Sequence, residues 1–323
     1  MAELIEPIED YGLGKKAVKK GTLSKIAVIG AGSMGQEIIL HVSKCGIEVV
    51  FIDISEERIK EVFKAMDKTL DAVINRWGLT ESEKRGILQR IKGTTDYSDI
   101  SECELVIESI NSKKPGTSIN VRKEVFQKVE SVVAKDAIIT SNTATLMISE
   151  LASVLKNPER AVGLHFLSPA DKIRIVEVVR GAKTSVDAYE MVCKFSRLVQ
   201  KKVINCHESP GNIHTRMVVP IINEACEILM EGVASVKDID ETMKLANGNL
   251  FGPFEMADRI GLDKLLKWMN NLYEEFGEQK YKASPVLKRL VRINHFGRRA
   301  GVGFYKYVDG VATEETVTCA EIR

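Results

Sequence analysis

The string Gly30-Ala31-Gly32-Ser33-Met34-Gly35 restricts this chain more than any other feature, because it sits between an apolar run, Lys25–Ile29, and a helix-patterned segment, Ser33–Cys45. A G-x-G-x-x-G is weak evidence by itself; a strand before it and a helix after it supply the context that gives it meaning. Gly30 then allows a tight turn, Gly32 lets the backbone approach a pyrophosphate, and Gly35 permits close packing of helix on strand. Phosphate oxygens take the unpaired N–H groups at the helix N-terminus, which adds Ser33 and Met34 to the expected cofactor-binding residues. Asp53 ends a second apolar run, Glu48–Ile52, about 20 residues on, where a carboxylate accepts hydrogen bonds from the adenine-ribose hydroxyls. It also repels a 2′-phosphate, so the motif predicts NAD(H) over NADP(H).

From Lys25 onward short apolar strands alternate with amphipathic helices, the βαβ sign of a parallel sheet. Further strands are read at Glu104–Glu108, Ala137–Thr140, Ala161–Phe166, Arg174–Val179 and Lys202–Cys206. Ser55–Asn75 places Ile59, Val62, Phe63, Met66, Leu70, Val73 and Ile74 on a single helical face, and Thr80-Glu81-Ser82-Glu83 is a capping box that starts another helix. The character changes after Ser209-Pro210-Gly211. Pro210 suits a helix start, and Ile213–Met230, Ser235–Asn247, Phe254–Phe276 and Ser284–Phe296 read as helices, with Gly232, Gly248 and Gly261 as breaks or caps. Gly301–Tyr307 reads as a short extended tail. The expected architecture is α/β: a Rossmann-type doubly wound sheet over residues 24–208, followed by an all-helical C-terminal domain over 209–323. Residues 1–23 read as a polar N-terminal extension carrying Lys15, Lys16, Lys19 and Lys20. A solvated tail and a contact with an anionic ligand or partner subunit are both open readings of it.

Composition narrows the function classes. Among 323 residues, 46 Lys+Arg nearly cancel 45 Asp+Glu, for a formal net charge of +1, so no pull toward nucleic acid or a membrane surface is implied. Apolar residues make up 44 %, enough for a sizeable core, yet no apolar run approaches the ~18 residues that span a bilayer. The acidic start, Met1–Asp10, lacks the basic and apolar parts of a secretory signal, and the cytoplasm is expected. Six cysteines without C-x-x-C spacing speak against a zinc site or a disulfide framework, so no metal is expected.

Hydride transfer from an alcohol carbon needs a base for the hydroxyl proton, and histidine suits that task near neutral pH. Of the five histidines, His165 stands out: it lies near the end of a buried strand, in Gly163-Leu164-His165-Phe166, at the sheet edge where open α/β folds bind ligands. Glu177 is embedded in the otherwise apolar Ile175-Val176-Glu177-Val178-Val179, and a buried carboxylate wants a partner. Two adjacent strands would bring the pair together. By pattern alone it reads equally as a catalytic dyad or a structural ion pair.

These motifs, with Leu105-Val106-Ile107-Glu108, Ser141-Asn142-Thr143, Ser209-Pro210-Gly211, Asp238-Ile239-Asp240, Gly252-Pro253-Phe254 and Gly301-Val302-Gly303-Phe304-Tyr305, occur in an order that resembles the L-3-hydroxyacyl-CoA dehydrogenases. Within that family the chain is most similar to the bacterial 3-hydroxybutyryl-CoA dehydrogenases, over nearly everything from Ser24 to Tyr307. The resemblance implies NAD as cofactor, an acyl-CoA substrate, a place in fatty acid metabolism, and a homodimer formed through the C-terminal helices. It assigns general acid/base work to His165 and the orienting carboxylate to Glu177. It puts Glu108, Asn142, Arg122 and Arg299 at cofactor-contacting positions, and Thr69 and Arg76, on the long second helix, at positions that contact the CoA part.

Departures from the family pattern gather at the substrate end of the site. A serine that hydrogen-bonds the substrate oxygen is replaced by Ala144, with Thr145 next to it, and a methyl group donates no hydrogen bond. The family's active-site asparagine aligns with Thr215, its Pro-Gly-Phe has become Pro210-Gly211-Asn212, and its Asn-Pro has become Ser168-Pro169. A second glutamate beside the cofactor is replaced by Asn111, followed by an apparent insertion at 112–118. Thr145 or Thr143 stands in reach to replace the lost serine, and Thr215 or His214 the asparagine. The expected reaction is reversible oxidation of an L-3-hydroxyacyl-CoA to the 3-ketoacyl-CoA. The clustered departures keep two alternatives open: a dehydrogenase for another 3-hydroxy acid, and an NAD-binding homologue with little or no turnover.

Overall fold

The computed structural model of the chain describes residues 22–76, 78–110 and 118–317. Most of the N-terminal extension, Asn111 and nearly all of the 112–118 insertion lie outside the described residues. In chain order the first elements are β1 (Lys25–Ile29), α1 (Ser33–Lys44), β2 (Glu48–Ile52), α2 (Glu56–Ile74), α3 (Glu81–Gln89), β3 (Ile91–Thr94), β4 (Leu105–Glu108) and α4 (Ser118–Val132). They continue with β5 (Ile138–Ser141), α5 (Ile148–Ala152), β6 (Ala161–Phe166), β7 (Ile175–Arg180), α6 (Val186–Leu198) and β8 (Lys202–His207). Helices α7 (His214–Met230), α8 (Val236–Asn247), α9 (Pro253–Ile260), α10 (Leu262–Phe276) and α11 (Pro285–Arg292) follow, and then strands β9 (Tyr305–Val308) and β10 (Val311–Glu315).

The chain divides into two compact units, one from Met1–Thr140, Val154–Arg160 and Ser185–Lys201, the other from Ser141–Ser153, Ala161–Thr184 and Lys202–Arg323. In the first, the strands run β3-β2-β1-β4-β5, and β1 pairs in parallel with β2 and β4. Its strands β1, β4 and β5 are buried on both faces, as a sheet covered by helices on each side requires. Helix α2 buries Ile59, Val62, Met66 and Leu70, with Ser55 capping its start. Thr80 and Glu83 form the expected reciprocal cap of α3. Strand β3, four residues with an exposed lysine, was too short and polar to be read as a strand.

In the second unit β6, β7 and β8 are neighbours. The β6–β7 pair is antiparallel, which corrects the expectation of a uniformly parallel sheet. The reason is chain length: a parallel crossover needs a dozen or more residues, and the short Leu167–Arg174 connection only allows the chain to double back. Beyond β8 the helices enclose an apolar cluster that includes Val219, Ile222, Phe254, Leu265, Met269 and Leu287.

Two further expectations are corrected here, and one is sharpened. Pro210 does not open a helix: Gly211 and Asn212 take positive φ of 85° and 47°, so the chain turns first and α7 starts at His214. Phe254–Phe276 is two helices, broken at Gly261 as the sequence reading allows, where the backbone adopts φ +97°. The C-terminal part is not all-helical, because β9 and β10 form an antiparallel hairpin. Its turn residues, Asp309 and Gly310, both have positive φ, the conformation that Asp-Gly favours in a two-residue hairpin loop.

Candidate active site

Antiparallel pairing sets His165 of β6 directly opposite Glu177 of β7. The His165 Nδ1 and Glu177 Oε2 atoms are 2.7 Å apart, and the two residues are only 4 % and 1 % exposed. The other carboxylate oxygen, Oε1, accepts the backbone N–H groups of Ile213 at 3.1 Å and His214 at 2.9 Å. Helix α7 has no side-chain cap of its own, so Glu177 caps it from another strand. Burial pushes the Glu177 carboxyl up, but the His165 hydrogen bond and charge, with the two N–H groups, outweigh it and hold it below its ordinary value. An ionised carboxylate only accepts, so Nδ1 carries a proton, and the neutral form of the ring has its lone pair on Nε2. Among the described residues Nε2 has no hydrogen-bond partner. That is the arrangement of an oriented base.

The neighbouring His214 imidazole is held below its ordinary pKa, first by burial and then by His165, and its Nδ1 has no partner among the described residues. Its charged form is disfavoured there, although the Glu177 charge acts in the opposite sense. Thr215 is fully buried in the first turn of α7, and its hydroxyl also lacks a partner among the described residues.

After β5 the chain bends past the end of β6. Asn142 Oδ1 accepts the N–H of Phe166 at 2.7 Å, fastening the bend to the residue after His165. Thr143 Oγ1 accepts the N–H groups of Leu146 and Thr145, closing a local turn. Ala144 faces the apolar helical cluster and is 8 % exposed, so its methyl fills core space, and this position contributes packing. Thr145 Oγ1 accepts a hydrogen bond from Asn271 Nδ2 of α10 at 2.8 Å. Asn271 was missed from sequence, where it is one of two adjacent asparagines on an amphipathic helix.

The glycine-rich turn belongs to the other unit. Gly30 has φ +91°, and a Cβ there would lie 2.8 Å from Ile110 Cγ2. At Gly32 a Cβ would meet no atom within 4 Å, so the turn faces open space there. Gly32 is also the N-cap of α1 and offers no side-chain cap, and the first turn holds no acid, so the N–H groups at Ser33 and Met34 are unshielded toward an anion. Asp53 Oδ2 accepts the Ala31 N–H at 3.0 Å, which draws the acidic side chain to the turn. These residues fit a dinucleotide. Glu108 and Arg122 form a buried ion pair and both bind Ile110, Glu108 accepting its N–H at 2.7 Å and Arg122 donating to its carbonyl at 2.7 Å. They brace the residue on which Gly30 rests.

Three expected contact residues lie on the surface. Thr69 is exposed and donates to the Ala65 carbonyl. Arg76 is exposed and lies past the Asn75 C-cap, in the turn after α2 rather than on the helix. Arg299 is exposed and pairs with Asp263 at 3.5 Å. Among the described residues no group of three His, Cys, Asp or Glu side chains is set to hold a metal ion.

A glycine-rich βαβ cradle with a ribose-binding acid defines the class, a dinucleotide-dependent oxidoreductase. Residues 25–209 match the model of the 3-hydroxyacyl-CoA dehydrogenase NAD binding domain, and residues 211–307 match the model of the C-terminal domain of the same enzymes. The chain is 37 % identical to 3-hydroxybutyryl-CoA dehydrogenase of Clostridioides difficile over 88 % of its own length and 99 % of that protein. Among solved structures, FadB2 of M. tuberculosis superposes with a TM-score of 0.84 at 30 % identity, covering 88 % of this chain and 99 % of that one. The (S)-3-hydroxybutyryl-CoA dehydrogenase PaaH1 of Ralstonia eutropha gives 0.79 at 34 % identity, with 89 % and 100 % covered. The chain belongs to the 3-hydroxyacyl-CoA dehydrogenase family, and its cofactor is NAD.

Proposed function

We propose that the chain catalyses the reversible, NAD-dependent oxidation of an L-3-hydroxyacyl-CoA of about 3-hydroxybutyryl size to the 3-ketoacyl-CoA. The observation that carries this reading is the His165–Glu177 pair, with the carboxylate anchored on the α7 N-terminus and the imidazole Nε2 left without a partner among the described residues. In the oxidation direction Nε2 accepts the proton of the 3-hydroxyl. Glu177 holds the ring in the Nδ1–H tautomer and stabilises the imidazolium that forms, as the acid of a catalytic triad does. Bound NAD+ supplies the hydride acceptor. Gly30, Gly32, Ser33, Met34, Gly35 and Asp53 hold the cofactor; Glu108 and Arg122 brace that turn, and Asn142 and Arg299 complete the cofactor contacts. Thr215 and Thr145 face the reacting end of the substrate, and Thr69 and Arg76 receive the CoA part.

In this reading the chain works in the cytoplasm as a homodimer. Ile213, Met217 and Ile221, at and beyond the start of α7, are exposed apolar side chains spaced to share one face. Among the described residues no helix is long and apolar enough to cross a membrane.

A panel of L-3-hydroxyacyl-CoA esters and free 3-hydroxy acids, followed by NADH absorbance, tests the activity. Turnover is expected on the esters, fastest at four carbons, with CoA binding measurable by calorimetry. Turnover confined to free acids moves the substrate class. NAD binding without turnover on any ester removes the proposal.

A further inference from the structure

We propose that Asn271 is a positioning residue that makes the Thr145 hydroxyl a hydrogen-bond donor to the substrate's C3 oxygen. The inference rests on the reading of the substrate as a 3-hydroxyacyl thioester. A threonine hydroxyl has one proton and two acceptor lone pairs. Asn271 Nδ2 can only donate, and at 2.8 Å it takes a lone pair of Thr145 Oγ1. The proton of that hydroxyl is thereby left uncommitted, and it has no acceptor among the described residues. A hydroxyl that accepts one hydrogen bond also becomes a better donor in the next.

Location gives this proton its target. Thr145 is 6 % exposed and its backbone is held by the Thr143 turn, so the hydroxyl has little freedom to reorient. The same bend is tied through Asn142 to Phe166, the residue after His165. Ala144, the adjacent side chain, is committed to the apolar cluster and has nothing to donate. Thr143 Oγ1 is held by two backbone N–H groups of its own turn, whereas Thr145 Oγ1 is held by Asn271, which sets the direction of the Thr145 proton. Opposite it, a carbonyl oxygen gains negative charge as hydride reaches C3, and a fixed donor stabilises that charge more than it stabilises the ground state.

The test is steady-state reduction of acetoacetyl-CoA with NADH, with thermal unfolding measured on each variant. Asn271→Asp reverses the pair, because a carboxylate accepts the Thr145 proton and withdraws it. Its kcat should fall by about 10²-fold, as for a lost oxyanion donor, and match Thr145→Val. Asn271→Ala frees the hydroxyl without capturing its proton and should lose about tenfold, less than the outright loss of an oxyanion donor. Thr145→Ser should restore most of the wild-type rate. KM should move less than kcat throughout, and Thr145→Val/Asn271→Ala should be no slower than Thr145→Val alone. Wild-type kcat in both Asn271 variants, or losses that multiply in the double variant, would overturn the inference while leaving the proposed reaction standing. An inactive wild type would overturn both. If Asn271→Asp does not fold, the Thr145→Val/Asn271→Ala cycle decides alone.

Discussion

Two buried carboxylates in the second unit have nearly the same surroundings and opposite electrostatics. Glu177 and Asp258 are each 1 % exposed, and each accepts two backbone N–H groups, from Ile213 and His214 in one case and from Phe304 and Tyr305 in the other. Their third partners differ: an imidazole for Glu177 and the Tyr307 hydroxyl for Asp258. Burial lifts the Asp258 carboxyl to about 7 despite its three donors, with the nearby Asp240 charge adding to the rise. Glu177 is held below its ordinary value because its third partner can carry a positive charge. Counting hydrogen bonds does not separate these two carboxylates; the ability of one partner to carry a positive charge does. Asp258 and Asp240 fasten the β9–β10 hairpin to α8 and α9, with Tyr305 donating its backbone N–H to one and its hydroxyl to the other.

Substitutions should expose the difference, the largest effect first. Glu177→Gln still caps α7 through its carbonyl oxygen but turns its amide N–H toward His165 Nδ1, forcing the proton onto Nε2. Turnover should fall by about 10³–10⁴, the scale seen when a triad acid becomes an amide, with a modest change in Tm. Asp258→Asn should do the reverse: it sets an NH2 group against backbone or phenol donors and should lower Tm by about 3–10 °C, while activity per folded molecule persists. Calorimetry and rate assays on the two proteins give the contrast directly.

The pH dependence should also run in opposite directions. Glu177 has a depressed folded value, so its stabilisation is present above 4.5 and fades as pH falls through that depressed value. Asp258 has a raised one, so its contribution is complete below 3.8 and is lost as pH rises through about 7. Protection from hydrogen exchange, relative to the intrinsic rate at each pH, should therefore fall at Phe304 and Tyr305 toward alkaline pH and at His214 toward acid. The smallest effect is expected for Ala144→Ser. Because that side chain faces the apolar cluster, a hydroxyl there should cost about 1–3 kcal/mol of stability, read from denaturant midpoints, without raising turnover.

What could be read from the sequence follows from how local each requirement is. The cradle was legible because its glycine spacing lies directly between a strand and a helix, and α2 and α3 because their caps and periodic faces are contained within them. The dyad was legible as a pair, since an acid in an apolar strand and a histidine at a strand end both ask for partners. How Glu177 is held was not: Ile213 and His214 lie 36 and 37 residues away, and no motif announces a helix capped from a strand. The Asn271–Thr145 contact spans 126 residues and was equally out of reach. The terminal hairpin is different, because Asp309-Gly310 is a local turn signal that went unread in a segment taken as a tail.

The most direct test of the central claim is NADH oxidation by acetoacetyl-CoA in the wild type and in His165→Ala, with folding monitored in both. If His165 is the base that Glu177 orients, the variant loses at least about 10² in rate while binding NADH and unfolding near the wild-type temperature. Equal rates in the two proteins would contradict it.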